Sequence, residues 1–233
     1  MWRQTAQSRP KAGGGGGIVV PDGLVSYWTC NDAANGTCID SVSGNNGTLY
    51  QSPAPTNGVA GVAGTAYLIS THVNGGRFIT VSNEAAFNLS TFTISLWWKK
   101  TEANSYEGPF NNEVAAQSGF QLVNWNGGDP YRPELVVTSG SSEVGHYSVT
   151  NTYFAPQPWQ HQVWTWDGTN ACCYIDDLQK TVSNTGDSGY QHSGVIIGRT
   201  YGIIDGCMAY IRVYNRAITY AEETLIHNSE KAP

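Results

Sequence analysis

The run Cys207-Met-Ala-Tyr-Ile-Arg-Val-Tyr214 leaves this chain few ways to fold. Met208, Tyr210, Arg212 and Tyr214 alternate with Ala209, Ile211 and Val213, and a period of two suits a strand with two different faces. Asn215-Arg216-Ala217 turns the chain. Thr219, with Glu222 three residues on, is then a capping box that opens a helix through Ile226. The predicted ending is a strand that closes a sheet and hands over to one terminal helix.

The same period recurs upstream. Thr91-Phe-Thr-Ile-Ser-Leu-Trp97 puts Phe92, Ile94 and Leu96 on one face and Thr91, Thr93 and Ser95 on the other. Gln160–Trp166 and Ala171–Ile175 read as a hairpin around Asp167-Gly168. Turn dipeptides stand between the strands at Asn35-Gly36, Asn46-Gly47, Asn74-Gly75-Gly76 and Asn126-Gly127-Gly128. No second core, long helix or internal repeat interrupts this pattern. The chain has 233 residues, and its 8 Trp and 13 Tyr supply enough apolar surface for one sandwich core.

Residues 1–22 form a separate region. Five consecutive glycines, Gly13–Gly17, cannot build a core and read as a flexible tether. The expectation is an arm that docks on a partner or a neighbouring subunit. Trp2, Arg3 and Arg9, with Ile18 and Val19 at its far end, are the candidate docking residues.

Charge narrows the function. The net charge of −6 and the scattered 12 Lys and Arg argue against nucleic acid, which needs a basic stripe for its phosphates. No apolar run reaches the length of a membrane span. The N-terminus lacks the apolar core of a secretory signal, which favours assembly without a secretory route. Only 13% of residues are charged, so the surface is neutral and polar, suited to a virion or extracellular exterior that meets glycans.

Five cysteines leave at least one unpaired. Cys30 and Cys38 flank a turn-rich insert and are the candidate disulfide; the alternative is free thiols acting as small hydrophobes. Cys172 and Cys173 are adjacent in a strand and do not pair with each other. No Cys-x-x-Cys or His-x-His spacing occurs, so zinc is not expected.

An ordered set of motifs carries a resemblance. Gly23–Trp28 is similar to an opening strand, and Asp40-Ser-Val-Ser-Gly-Asn-Asn-Gly-Thr-Leu49 to an early Asp-containing turn. Phe78–Val81 and Phe87–Trp97 resemble a central strand pair. Trp159-Gln-His-Gln-Val163, Trp166-Asp-Gly168, Tyr174-Ile-Asp-Asp177 and Ile196-Ile-Gly-Arg199 then follow in order. From Gly23 to Asn228 the chain resembles the laminin-G-like, concanavalin A-like jelly-roll family. The resemblance implies an all-β, two-sheet antiparallel jelly-roll sandwich over residues 23–230, with the flexible arm before it and one short helix at its end.

The resemblance also implies places to look for function. Relatives hold Ca²⁺ with an Asp of the early turn, matched by Asp40, and an Asp of the last strand, where this chain has Ala209. Asp205 is the partial substitute, and the site is weakened accordingly. His161 follows the Trp of a structural strand, with a role in packing and hydrogen bonding. Glucanases of this fold need two carboxylates on one strand, and no Glu-x-Asp or Glu-x-x-x-Glu strand pattern is found, so the expectation is a module without catalysis. Glu222-Glu223 read as helix-capping residues. The loop Trp125-Asn126-Gly-Gly-Asp129-Pro-Tyr131, joined by Tyr201, is the candidate glycan site: aromatic faces stack on sugar C–H surfaces while Asn and Asp read hydroxyls.

The leading expectation is an oligomeric or particle-bound protein of a virion surface, such as a capsid decoration or tail adhesin component. A secreted or cell-surface lectin is the alternative, and a glycoside hydrolase is disfavoured.

Overall fold

A computed structural model of the protein describes residues 20–32, 36–50, 56–69, 78–100, 107–113, 119–125, 132–139, 142–149, 158–184, 194–199 and 204–231. The arm residues Trp2, Arg3, Arg9, Ile18 and Val19 lie outside the described residues.

In chain order the strands are β1 (Leu24–Trp28), β2 (Thr37–Cys38), β3 (Gly47–Tyr50), β4 (Thr56–Ala60), β5 (Thr65–Ile69) and β6 (Phe78–Val81). There follow β7 (Phe92–Lys100), β8 (Glu107–Glu113), β9 (Gly119–Trp125), β10 (Arg132–Ser139), β11 (Ser142–Val149) and β12 (Gln160–Trp166). The set closes with β13 (Ala171–Ile175), β14 (Leu178–Lys180), β15 (Val182–Asn184), β16 (Gly194–Ile197) and β17 (Gly206–Tyr214). One helix, α1 (Tyr220–Glu230), ends the chain.

These strands form two antiparallel sheets. The eight-stranded sheet runs β14-β13-β12-β7-β17-β5-β4, with β1 also paired to β17; the nine-stranded sheet runs β15-β11-β10-β9-β8-β16-β6-β3-β2. Sequence neighbours are often not sheet neighbours, as in β7 lying between β12 and β17, and such crossovers define a jelly-roll sandwich.

The core lies between the sheets. Phe92, Ile94, Leu96 and Trp98 of β7 point into it, as the alternation demands, and meet Phe110, Phe120 and Leu122 of the other sheet. Phe92 stacks on Phe120 with ring centroids 4.0 Å apart. Each fully buried side chain of this size contributes about 2 kcal/mol. Aromatic packing therefore supplies much of the adhesion between the layers.

Two turns follow their sequence signals. β12 and β13 pair from Trp166↔Ala171 to Gln162↔Ile175, the expected hairpin. Asp176 and Asp177 both adopt positive φ, +51° and +62°, the two-residue turn that matches strand twist between β13 and β14.

The alternation of β17 does not hold throughout. A bulge shifts its register between Ala209 and Arg212, and Tyr210 sits at φ +51°. The extra residue moves one face onto the other. Met208, Ile211 and Val213 all join the core, whereas Arg212 and Tyr214 face outward, against the C-terminal helix.

That helix forms as its cap predicts. The Thr219 hydroxyl accepts from the Glu222 amide, the Glu222 carboxylate accepts from the Thr219 amide, and the helix runs past Ile226 to Glu230. It packs on the outer face of the eight-stranded sheet, where Ile226 meets Val163, Tyr174, Tyr214 and Ile218.

Candidate functional site

Asp40 occupies the early turn as a hub for backbone amides. Its Oδ1 accepts from the amides of Tyr27 at 2.9 Å and Val42 at 3.0 Å. Its Oδ2 accepts from Ser43 at 3.3 Å and Asn45 at 3.0 Å. A carboxylate offers about four acceptor positions, and four amides take them. These bonds give Asp40 a turn-fixing role. Asp205 is buried just ahead of β17. Neither aspartate lies in the His161, Glu223 and His227 cluster, where three potential ligand atoms come within 4.8 Å of one another.

The expected Cys30–Cys38 bridge is not formed; both residues are buried free thiols. A hydrogen bond to Cys30 and burial together push the Cys38 thiol well above its ordinary range.

Of the expected glycan-binding residues, Asn126, Asp129, Tyr131 and Tyr201 lie outside the described residues. Trp125 is the last residue of β9, and its backbone pairs with Arg132 of β10. His161 makes the contacts expected of it: its Nε2 is 2.8 Å from Ser95 Oγ, and its ring stacks on Trp97.

The described residues bring together a different polar set, on the side of the nine-stranded sheet that faces away from the core. Core residues Ile79, Phe110, Phe120, Leu122, Leu135 and Val149 point inward, so their strand neighbours point away. One row of cross-strand partners runs Thr48↔Thr80, Thr80↔Ile196, Ile196↔Asn111, Asn111↔Gln121, Gln121↔Val136 and Val136↔His146. A parallel row contains Val123↔Glu134, Glu134↔Ser148 and Ser148↔Ser183.

Chemistry varies along these rows. Toward one side, Tyr50 stacks on Phe78 with centroids 4.4 Å apart, and the Arg199 guanidinium lies 4.9 Å from the Phe78 ring centre. Tyr50 keeps 46% of its surface exposed, so this platform is open. Toward the other side, Asn111, Gln121, Glu134, His146 and Ser148 are buried. Glu134 accepts from the Ser148 hydroxyl at 2.6 Å, and its second oxygen is 2.8 Å from His146 Nε2. Sequence reading missed this set because its members come from separate strands. The alternation of β10 and β11 was the available signal. A separate cleft of about 380 Å³ lies at the sandwich edge beside Tyr147 and Trp166, with Thr138 and Thr169 supplying hydroxyls.

The two packed antiparallel sheets define a jelly-roll sandwich. The chain belongs to the concanavalin A-like lectin/glucanase superfamily, whose laminin-G-type model matches residues 73–222. No curated protein matches the chain in sequence. Solved structures share the fold. Domain 4 of the extracellular arabinanase AbnA from Geobacillus stearothermophilus, in complex with arabinotriose, is 16% identical with a TM-score of 0.64, covering 89% of this chain and 98% of that one. The binding domain of Paraclostridial Mosquitocidal Protein 1 is 19% identical with a TM-score of 0.62, covering 89% and 52%. The botulinum neurotoxin serotype C1 binding domain is 12% identical with a TM-score of 0.64, covering 91% and 53%. The chain thus spans about half the length of these toxin domains. Among the described residues no helix is long and apolar enough to cross a membrane.

Proposed function

We propose that this protein is a non-catalytic, carbohydrate-binding module that takes its ligand on the outer face of the nine-stranded sheet. The observation that carries the reading is the exposed Tyr50 ring, held in place by stacking on the buried Phe78 with centroids 4.4 Å apart. An aromatic ring binds the apolar face of a sugar, and amide and carboxylate groups pair with its hydroxyls. The arabinotriose complex of a structural neighbour supports a glycan as the ligand class. Both oxygens of Glu134 are engaged by Ser148 and His146, which suits a hydrogen-bonding group more than a proton donor to a leaving group.

A glycan array followed by calorimetry on the best oligosaccharide tests this reading. Tyr50→Ala is expected to weaken binding about tenfold with the fold intact, the value of one aromatic stacking contact. Unchanged affinity in that variant, or release of reducing ends from the bound glycan, overturns it.

The finer placement is a virion surface, with residues 1–22 docking on the particle and the sandwich facing outward. What supports it is composition: a Gly-rich tether joined to one neutral, polar module.

A further inference from the structure

The helix that covers the eight-stranded sheet buries a side that is mostly not apolar. Glu223, His227 and Glu230 share it with Ile226, at spacings that line one helix face. Glu230 is matched by Arg212. Glu223 and His227 instead face His161 of β12, and the metal-binding atoms of these three residues all lie within 4.8 Å of one another.

All three are buried. His161 Nδ1 is 3.2 Å from Glu223 Oε1, yet neither atom makes a hydrogen bond. His227 Nδ1 likewise makes no hydrogen bond, while the Glu223 carboxyl lies against Asp177. Buried polar atoms normally pair, so the convergence of two imidazole nitrogens and a carboxylate on one point suits a ligand.

We propose that His161, Glu223 and His227 bind a divalent transition-metal ion of the zinc class. Two imidazoles and a carboxylate form a donor set typical of that ion, with a fourth position left for water. Around a tetrahedral ion the ligand atoms stand about 3.4 Å apart. His161 and Glu223 already have about that separation.

The surroundings hold the ligands in place. A His161 Nε2–H directed at Ser95 Oγ, 2.8 Å away, leaves the Nδ1 lone pair for the metal. The His161 amide donates to Asp176 Oδ1 at 2.8 Å, and its carbonyl accepts from the Asp176 amide at 3.0 Å. Trp97 stacks on both imidazoles, with centroids 5.0 Å and 5.2 Å away. The Asp176-Asp177 turn brings negative charge to the approach. Burial, reinforced by Asp177, pushes the Glu223 carboxyl up to about 8, and burial holds both imidazoles below their ordinary range. No spacing in the sequence announces this set, because one ligand comes from a strand and two from a helix.

The full chain, stripped with chelator and titrated with Zn²⁺ and Co²⁺ near neutral pH, tests the proposal. One equivalent should bind. Co²⁺ should give the intense visible bands of a four-coordinate site and quench tryptophan fluorescence through Trp97. Glu223→Gln and His227→Gln should each weaken binding by about 100-fold or more while retaining near-ultraviolet circular dichroism. Absence of uptake, a weak six-coordinate Co²⁺ spectrum, or undiminished binding in both variants overturns it. Should either variant fail to fold, the Co²⁺ spectrum of the unaltered chain decides alone.

Discussion

Arg212 of β17 and Glu230 of the last helical turn form an ion pair sealed from solvent, with side chains 0% and 1% exposed. The Tyr27 ring lies 4.2 Å from the guanidinium carbon. Trp97 Nε1 donates to the second Glu230 oxygen at 2.9 Å. At the other end of the helix, the Arg216 guanidinium grips Glu222 through both oxygens at 2.6 Å and 2.9 Å, on the surface. The helix is therefore pinned at both ends, one buried and one wet.

Burial decides what each pin is worth. Glu230→Ala strands a buried guanidinium and is expected to cost about 3–5 kcal/mol. Glu222→Ala loses a half-exposed pair and part of a cap, about 1 kcal/mol. Urea unfolding of the two variants measures the difference; equal losses would count against this division.

Stability should fall with rising pH above neutrality. The Glu223 carboxyl, raised by burial to about 8, keeps its proton in the folded protein after the unfolded chain has released it near the usual carboxylate range. Its contribution is complete below that range and is lost as pH climbs to about 8. Glu230, raised to about 7 by burial against the opposing charge of Arg212, acts in the same sense. His161 and His227, both lowered by burial, act oppositely, but only below about pH 6.5. Asp177, held down by the Thr224 hydroxyl, stays charged throughout. In chelator, the melting temperature should therefore drop from about pH 6.5 to 8, at up to about 1 kcal/mol per pH unit. Glu223→Gln should flatten the slope. A flat profile in the unaltered chain contradicts the assignment.

Asp40→Ala should be among the more damaging changes in the turn. It leaves the amides of Tyr27, Val42, Ser43 and Asn45 without their acceptor, at a cost of about 3 kcal/mol. Adding Ca²⁺ should leave the melting temperature of the unaltered chain where it is. A Ca²⁺-dependent rise that disappears in Asp40→Ala would restore the cation role.

Removing residues 1–22 should abolish incorporation into particles while the melting temperature of the sandwich stays within a few degrees. Incorporation of the shortened chain at the normal level would set the docking role aside. On the same chain, Trp125→Ala in the glycan titration compares the β9 end with the Tyr50 platform, and a loss confined to Trp125→Ala would move the ligand site there.

Much of the fold was legible because a period of two is a local property. Phe92, Ile94 and Leu96 could be placed on one face from spacing alone, and Thr219 with Glu222 announced the helix before any neighbour was known. The Tyr210 bulge was not legible: an extra residue in β17 depends on what β7 presents opposite it, and it reverses which side Arg212 faces. The disulfide expected of Cys30 and Cys38 rested on proximity along the chain, whereas burial of both thiols is a property of the packed core.

Alternation, turn residues and capping chemistry thus determined the class of fold, because each acts over a few neighbouring residues. Tertiary structure alone decided which polar groups meet. Glu223 read as one of two capping acids, and only the docking of α1 on β12 buried it against His161 while leaving Glu222 at the surface with Arg216. Likewise Asn111, Gln121, Val136 and His146 share a row only because β8, β9, β10 and β11 pair in one register. Contacts between residues far apart in sequence are set by strand order and packing, which no local pattern encodes.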